Sequence, residues 1–334
     1  MEIIREHAYA RAGLIGNPSD GYHGKTISHV VRNFCAQVVL YDWEALEIIP
    51  SQQDHSQFGS LNELVQDVEL HGYYGGMRLV KATIKRFSEY CEGRHELADK
   101  NFSIRYESNI PRLVGLAGSS AIIVATLRSL IRFFQVEIPQ QVQPSLALSV
   151  ETKELGIAAG LQDRVIQVYE GLVAMDFSEK ATKIVDGMEC GEYESMDASL
   201  LPPVYVAYRS SSSEPTERTH SDLKSRFEQG DKDVVAAMES FAELSAAAKQ
   251  AILAGDHDEL SRLIDLNFDT RQRICQLAPD HVEMIMGARE AGASAKFAGS
   301  GGAIVGTYRD QAMLARLRES LNPLGCRVIL PQLA

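Results

Sequence analysis

Pro111-Arg112-Leu113-Val114-Gly115-Leu116-Ala117-Gly118-Ser119-Ser120-Ala121 separates a strand-like run, Phe102 to Tyr106, from a long apolar-periodic run, Ile122 to Phe134. A glycine-rich loop feeding a helix N-terminus presents backbone N–H groups and the positive end of the helix dipole, and so attracts phosphate. Gly115 and Gly118 let the backbone come close to a polyanion. Ser119 and Ser120 add hydroxyls that bond phosphate oxygens or ligate Mg2+. Taken alone, the same string also reads as a turn with a serine N-cap. Two familiar nucleotide loops are excluded, since no Lys-Ser/Thr pair closes the string and it contains no G-x-G-x-x-G.

On the N-terminal side, Ala8 to Ile15 reads as a strand ending in the turn Gly16-Asn17-Pro18-Ser19-Asp20-Gly21. Thr26 to Tyr41 predicts one or two strands and Leu46 to Ile49 another. Leu61 to Leu70 reads as helix, and Met77 to Tyr90 as an amphipathic helix behind Gly72-Tyr73-Tyr74-Gly75-Gly76. The paired tyrosines suit packing at a helix entrance or an aromatic platform for a sugar ring or base, with Arg78 nearby as an anion clamp.

On the C-terminal side, Pro144 to Leu155 predicts a helix carrying Glu151. Gly156-Ile157-Ala158-Ala159-Gly160-Leu161-Gln162-Asp163-Arg164 turns into another, where Asp163 suits the helix dipole. Gly171 to Phe177 reads as a strand. The polar stretch Ser178 to Ser195 reads as irregular, and the domain boundary is placed at its end, giving units 1–195 and 196–334. Pro203 to Tyr208 predicts a strand, Ser210 to Pro215 a flexible turn or lid, and Ser221 to Ala278 a helical region whose Arg271 and Arg273 read as solvated charges. After a helix from His281 to Ala291, Gly299-Ser300-Gly301-Gly302 marks a tight loop before the strand Ile304 to Tyr308. A helix, Gln311 to Leu321, and a strand, Cys326 to Leu330, complete an α+β pattern.

The 334 residues suffice for one large or two ordinary domains. A formal charge of -12 argues against nucleic acid and against an anionic membrane surface as partners. No run approaches about 18 consecutive apolar residues. Five scattered cysteines with no C-x-x-C spacing indicate neither zinc nor a disulfide framework but free thiols. The charged start Met1 to Glu6 has no apolar core, so no secretory leader is expected and the cytoplasm is the expected compartment. A serine hydrolase is excluded for want of G-x-S-x-G.

The Pro-x-x-x-Gly-Leu-x-x-Ser-Ser-Ala string resembles the phosphate loop of the GHMP kinases, named for galactose, homoserine, mevalonate and phosphomevalonate. Arg11-x-x-Leu14-x-Gly16-x-x-x-Asp20 resembles that family's first motif, and Lys296 to Ala303 its third. The resemblance implies a two-domain α+β fold, with a ribosomal-protein-like α/β domain before a ferredoxin-like α+β sandwich. It also implies ATP and Mg2+ as cofactors.

By position, Pro111 and Gly115 to Ala121 would cradle ATP, and Ser120 with Glu151 would hold Mg2+. Asp163 would deprotonate the acceptor hydroxyl, with Arg11 as the cation near it. Asn17, Ser19, Asp20, Gly299, Ser300 and Gly301 would line the acceptor pocket. Asn17-Pro18 stands where galactose-type members carry Glu-His. Gly16 to Asp20, Gly72 to Gly76, Asn109 to Arg112, Glu154 to Val165 and Lys296 to Ala303 together resemble the branch that phosphorylates the anomeric hydroxyl of D-glucuronate. That implies a small-molecule sugar acid as substrate, its carboxylate met by Lys25 or Arg78. A GHMP kinase for another acceptor, such as another sugar, a heptose phosphate or mevalonate, and a non-catalytic sugar and ATP sensor are the alternatives.

Overall fold

The computed structural model describes residues 2–50, 75–209 and 217–333. The helix expected over Leu61 to Leu70, the tyrosines 73 and 74, and the serine-rich stretch Ser210 to Pro215 lie outside them.

The chain opens with a hairpin of two long strands, β1 (Ile3–Ile15) and β2 (Lys25–Asp42), paired antiparallel from Ile3 opposite Tyr41 to Ile15 opposite Ile27. The charged residues Arg5, Glu6 and His7 hide the first turns of β1 from a hydrophobic pattern. Pairing with β2 recruits them. A register shift opposite Tyr9 and Ala10 lets β2 run unbroken through Arg32-Asn33-Phe34 as one strand rather than two. Then follow β3 (Glu47–Ile49), α1 (Gly76–Cys91), β4 (Phe102–Ser108), α2 (Gly118–Phe134) and α3 (Gln143–Ser149). After α3 comes a single π-type turn, Val150–Glu154, then α4 (Gln162–Tyr169) and β5 (Leu172–Asp176).

Strands β6 (Lys183–Val185), β7 (Met188–Cys190) and β8 (Glu192–Met196) occupy the stretch expected to be irregular. The overlooked signal is Asp186-Gly187, whose φ values of 49° and 75° close a two-residue hairpin between β6 and β7. β8 adds an antiparallel edge to β5. In the main sheet one flank of β2 pairs with β1, while the other is shared by β5 at Lys25 to His29 and β4 at Ala36 to Asp42.

The remaining chain is β9 (Val204–Arg209), α5 (Glu217–Glu228), α6 (Lys232–Ala254), α7 (His257–Ile274), α8 (Pro279–Glu290), β10 (Lys296–Phe297), β11 (Ala303–Thr307), α9 (Gln311–Leu321) and β12 (Cys326–Ile329). Its strands form an antiparallel sheet ordered β10-β11-β9-β12.

From Ala10 to Ile15 every residue of β1 is buried, because helices of both halves, α2 and α4 from one and α6 and α7 from the other, pack on it. Accordingly, one apolar cluster runs through both halves, from Ala10 and Leu14 to Phe241 and Ala298. That places the end of β1 where the loops before α2, before α4 and after β10 meet. The five cysteines are all free thiols.

Candidate active site

Helix α2 begins after Ala117, which takes a left-handed conformation (φ 64°) and caps nothing with its side chain. The first turn carries no acidic residue. A helix end of this kind presents its N–H groups and positive dipole to an anion. The loop before it is anchored by buried Val114 and Leu116. It is strapped down by Arg11 N to Leu116 O (3.3 Å) and Gln167 Nε2 to Ala117 O (2.9 Å). Ser120, almost fully buried, donates its hydroxyl to Ala117 O at 3.2 Å, which leaves its oxygen lone pairs unspent.

The Arg11 side chain, buried on β1, joins the regions that the sequence motifs mark separately. Its Nε and Nη2 donate to the two Asp163 oxygens at 2.6 and 2.9 Å. Its Nη1 donates to Gly115 O at 2.6 Å and Ala298 O at 3.0 Å. The planar fork of a guanidinium matches a carboxylate in this way and fixes its orientation. It uses two of the roughly four acceptor sites on Asp163, so the carboxylate can still accept a proton.

The two glycine loops lie backbone against backbone here. A Cβ on Gly115 (φ +73°) would stand 2.7 Å from Gly301 O. One on Gly299 would overlap Gly115 O and stand 2.9 Å from both Arg11 Nη atoms. Gly299→Ala should therefore cost about 1–3 kcal/mol, the usual range for overpacking, and lower any activity that depends on Arg11. An unchanged urea midpoint would contradict this close approach.

Glu151 falls in the π-type turn rather than in a continuous helix, with its side chain buried and ion-paired to buried Arg164. π turns insert a residue and re-aim the side chains around them. Among the described residues no group of three or more His, Cys, Asp or Glu side chains could hold a metal ion. One buried carboxylate and one hydroxyl, Glu151 and Ser120, are nevertheless the hard oxygen donors that suit Mg2+, an ion that takes its other ligands from phosphate and water.

The turn after β1 closes the opposite wall. Its Gly16 N donates to Asn267 Oδ1 (2.7 Å) and Asn267 Nδ2 to Asn17 O (3.2 Å). Fully buried Lys296 donates to Gly13 O (2.6 Å), Phe297 O (2.8 Å) and Asn17 Oδ1. Burial, with Arg271 and Arg11 nearby, holds the Lys296 ammonium pKa well below its ordinary value. Ser19 donates to Lys25 O at 3.1 Å.

Asp20 accepts from Gln162 N at 3.2 Å. Burial and the neighbouring Asp163 charge push its pKa from 3.8 up to about 6, so its ionised form is disfavoured and calls for hydroxyl donors. Below pH 4 both folded and unfolded chains hold this proton. As pH rises through 4 to 6 the unfolded chain releases it first, and stability is lost. Asp20→Asn should therefore stabilise the chain at pH 7.5 by at most about 3 kcal/mol, with the gain vanishing below about pH 4. Melting both proteins across that range checks it, and a gain that persists at pH 4 would point to another cause.

Residues 78–171 match the family model of the GHMP kinases N terminal domain. Glucuronokinase 1 of Arabidopsis thaliana is 45% identical over 310 residues, which cover 90% of this chain and 84% of that one. The chain belongs to the GHMP kinase family. Probable glucuronokinase 2 of the same plant is 44% identical over 312 residues, covering 91% of this chain and 84% of its own. Lactococcus lactis galactokinase, solved with galactose, shares the fold with a TM-score of 0.77 over 99% of this chain and 94% of that one, at 13% identity. As a GHMP kinase the protein is a phosphotransferase acting on a hydroxyl group.

Against this GHMP kinase frame, several residues sit differently from the sequence reading. Arg271 is no solvated charge. It is only 3% exposed, donates to Gly299 O (2.7 Å) and Ser300 O (3.1 Å), and lies over the Phe297 ring at 5.3 Å. Its place three residues after buried Phe268 and seven after buried Ile264, on the inward stripe of α7, was the available signal. Arg273 is exposed, as read.

Lys25 is paired across strands with Asp176 at 2.5 Å, its side chain 41% exposed. Arg78 lies in the first turn of α1, which packs on α2 and on the π-type turn. Pro111 lies at the partly exposed start of the glycine-rich loop before α2. Neither Arg164 nor Asn267 stands out in the sequence, and Lys296 only opens the third motif. Each becomes important only through partners distant in sequence.

Proposed function

We propose that this GHMP kinase transfers the γ-phosphoryl group of ATP to the anomeric hydroxyl of D-glucuronate, giving glucuronate 1-phosphate and ADP. The observation that carries the chemistry is the Arg11 clamp, which holds Asp163 between the phosphate loop and the second glycine loop. The acceptor rests on the two Arabidopsis relatives.

The amides from Gly115 to Ser120 and the α2 end would hold the ATP phosphates. Ser120 and Glu151 would hold Mg2+, which when bound neutralises charge on the phosphate oxygens. Asp163 would orient the acceptor hydroxyl and take its proton. Arg11 acts through Asp163, as a positioning residue. Asp20 would accept hydrogen bonds from sugar hydroxyls, while Asn17 and Ser19 shape the turn that carries it. Gly299, Ser300 and Gly301 form the facing wall, and Lys25 or Arg78 would meet the uronate carboxylate. In this reading residues 1–195 form the nucleotide-binding unit, residues 196–334 the second unit, and the protein works in the cytoplasm.

The test is ADP release with Mg-ATP against glucuronate, galacturonate, glucose, galactose, arabinose and mevalonate, with NMR of the product. Turnover with glucuronate and phosphate on C1 is expected. Turnover with a different acceptor would discard glucuronate but keep the phosphotransfer roles. ATP binding with no turnover of any acceptor would favour a sensor.

A further inference from the structure

Three carboxylates, Asp20, Glu151 and Asp163, meet two guanidiniums, Arg11 and Arg164, in and around the turn before α4. Arg11 is committed: its fork holds Asp163, and its remaining contacts go to Gly115 O and Ala298 O. Compensation of Glu151 therefore falls to Arg164. Glu151 is 3% exposed and Arg164 4%, so each charge depends on the other in place of water.

The Arg164 guanidinium is nevertheless not fully satisfied. One Nη donates to Glu151. The other donates to Gly160 O at 2.8 Å and stands 3.6 Å from Asp163 Oδ2. Its Nε is buried with no acceptor among the described residues. A buried guanidinium with an orphan N–H, in contact with one carboxylate and within reach of a second, has two places to sit.

We propose that Arg164 is the resident counter-cation of Glu151, and that a divalent metal ion competes with it for that carboxylate. The proposal rests on the kinase reading, which makes Glu151 a metal ligand. A divalent ion and a guanidinium cannot share one buried carboxylate without strong like-charge repulsion at low dielectric. Metal binding therefore releases the Arg164 Nη from Glu151, and the nearest carboxylate oxygen in the structure is Asp163 Oδ2. Once moved, Arg164 joins Arg11 on Asp163. Arg164 is thus a positioning residue, through which loading of the metal–nucleotide site is felt at the acceptor base.

The sign of the effect separates this from a scaffolding role. A residue that merely shaped the site would weaken metal binding when removed, whereas a competitor strengthens it. The measurement is Mn2+ titration, followed by electron paramagnetic resonance, into the full chain saturated with ADP. Arg164→Met, similar in length and uncharged, should bind Mn2+ about tenfold more tightly or better. Arg164→Lys, which keeps the charge on a single point, should fall between Met and the parent.

Equal or weaker Mn2+ binding by Arg164→Met would overturn the proposal while leaving the kinase reading intact. No Mn2+ binding by the parent chain with ADP would overturn both. If Arg164→Met melts without a cooperative transition, millimolar Mn2+ with ADP should restore one, because the metal then supplies the missing charge. Failure to restore it would count against the competition.

Discussion

Asp163→Asn should lower kcat by on the order of 10²–10⁴, the usual worth of a positioned general base, while the dissociation constant for Mg-ATP stays close to that of the parent. The side chain keeps its shape, and one oxygen remains to accept from Arg11. What is lost is the capacity to take a proton. The proposed phosphate loop does not depend on that carboxylate. Leu116 O is held by the Arg11 backbone N–H and Ala117 O by Gln167, neither of which the substitution touches. ADP release under saturating acceptor, beside a titration with a non-hydrolysable ATP analogue, separates the two quantities. A variant that retained most of its turnover would remove Asp163 from the proton transfer and leave its pairing with Arg11 purely architectural.

The second large effect is expected at Arg11. Arg11→Met preserves length and apolar stem. It takes the two-toothed partner from a carboxylate that shares its enclosure with Asp20, so that of the two guanidiniums only Arg164, at 3.6 Å, remains beside it. It also leaves Gly115 O and Ala298 O without their Arg11 donor. Breaking a fully buried pair from one side costs about 3–5 kcal/mol, most of it the burden of the charge left behind. The cost here is smaller, because the Asp163 side chain is 20% exposed and Arg164 stands 3.6 Å from its Oδ2. The urea midpoint should fall accordingly, and turnover should fall with it because Asp163 loses its orientation. The double variant Arg11→Met/Asp163→Asn should recover part of the stability but none of the turnover, since the under-compensated charge is gone and the base remains absent. If the double variant were no more stable than Arg11→Met alone, the cost would lie in the hydrogen bonds lost at Gly115 O and Ala298 O, the latter still accepting from Gly13 N, and the charge argument would fail.

Both effects converge on a geometry that only partly shows in the chain order. The glycine-rich loop before α2 was legible because it is local. Glycines, serines and an apolar period of 3.6 residues fall within one stretch, and the structure starts α2 at Gly118 behind left-handed Ala117. The positions of Asp163 and Asp20 were legible through motif spacing, and the structure brings both into one enclosure. The helix expected over Pro144 to Leu155 was right in place but not in form. It breaks into a π-type turn at Glu151, where the side chain must point inward to Arg164. No local pattern shows that change, and the partner of Glu151 lies thirteen residues away on another helix.

Strand content was underestimated where polarity dominates. Ser178 to Ser195 looks irregular because its strands are short and edge-facing, so no apolar alternation is required of them. Asp186-Gly187 nonetheless carries the hairpin signal, and β8 forms by pairing with β5. Arg271 shows the converse error. A charged residue on a helical stripe suggests solvent until two glycine-loop carbonyls are found waiting for it.

By itself, then, the amino-acid sequence determined the α+β class, the family, the glycine-rich loop before a helix and the identities of the acidic residues that gather near it, because each depends on short-range pattern or motif order. The tertiary structure alone decided how those residues are used: that Arg11 clamps Asp163 to two glycine loops, that Lys296 and Asn267 tie the Asn17 turn to the C-terminal half, and that Arg164 neutralises Glu151. The physical reason is that buried charges and backbone carbonyls must find partners once water is excluded. Folding chooses those partners by distance in space, across separations of up to 287 residues in the chain.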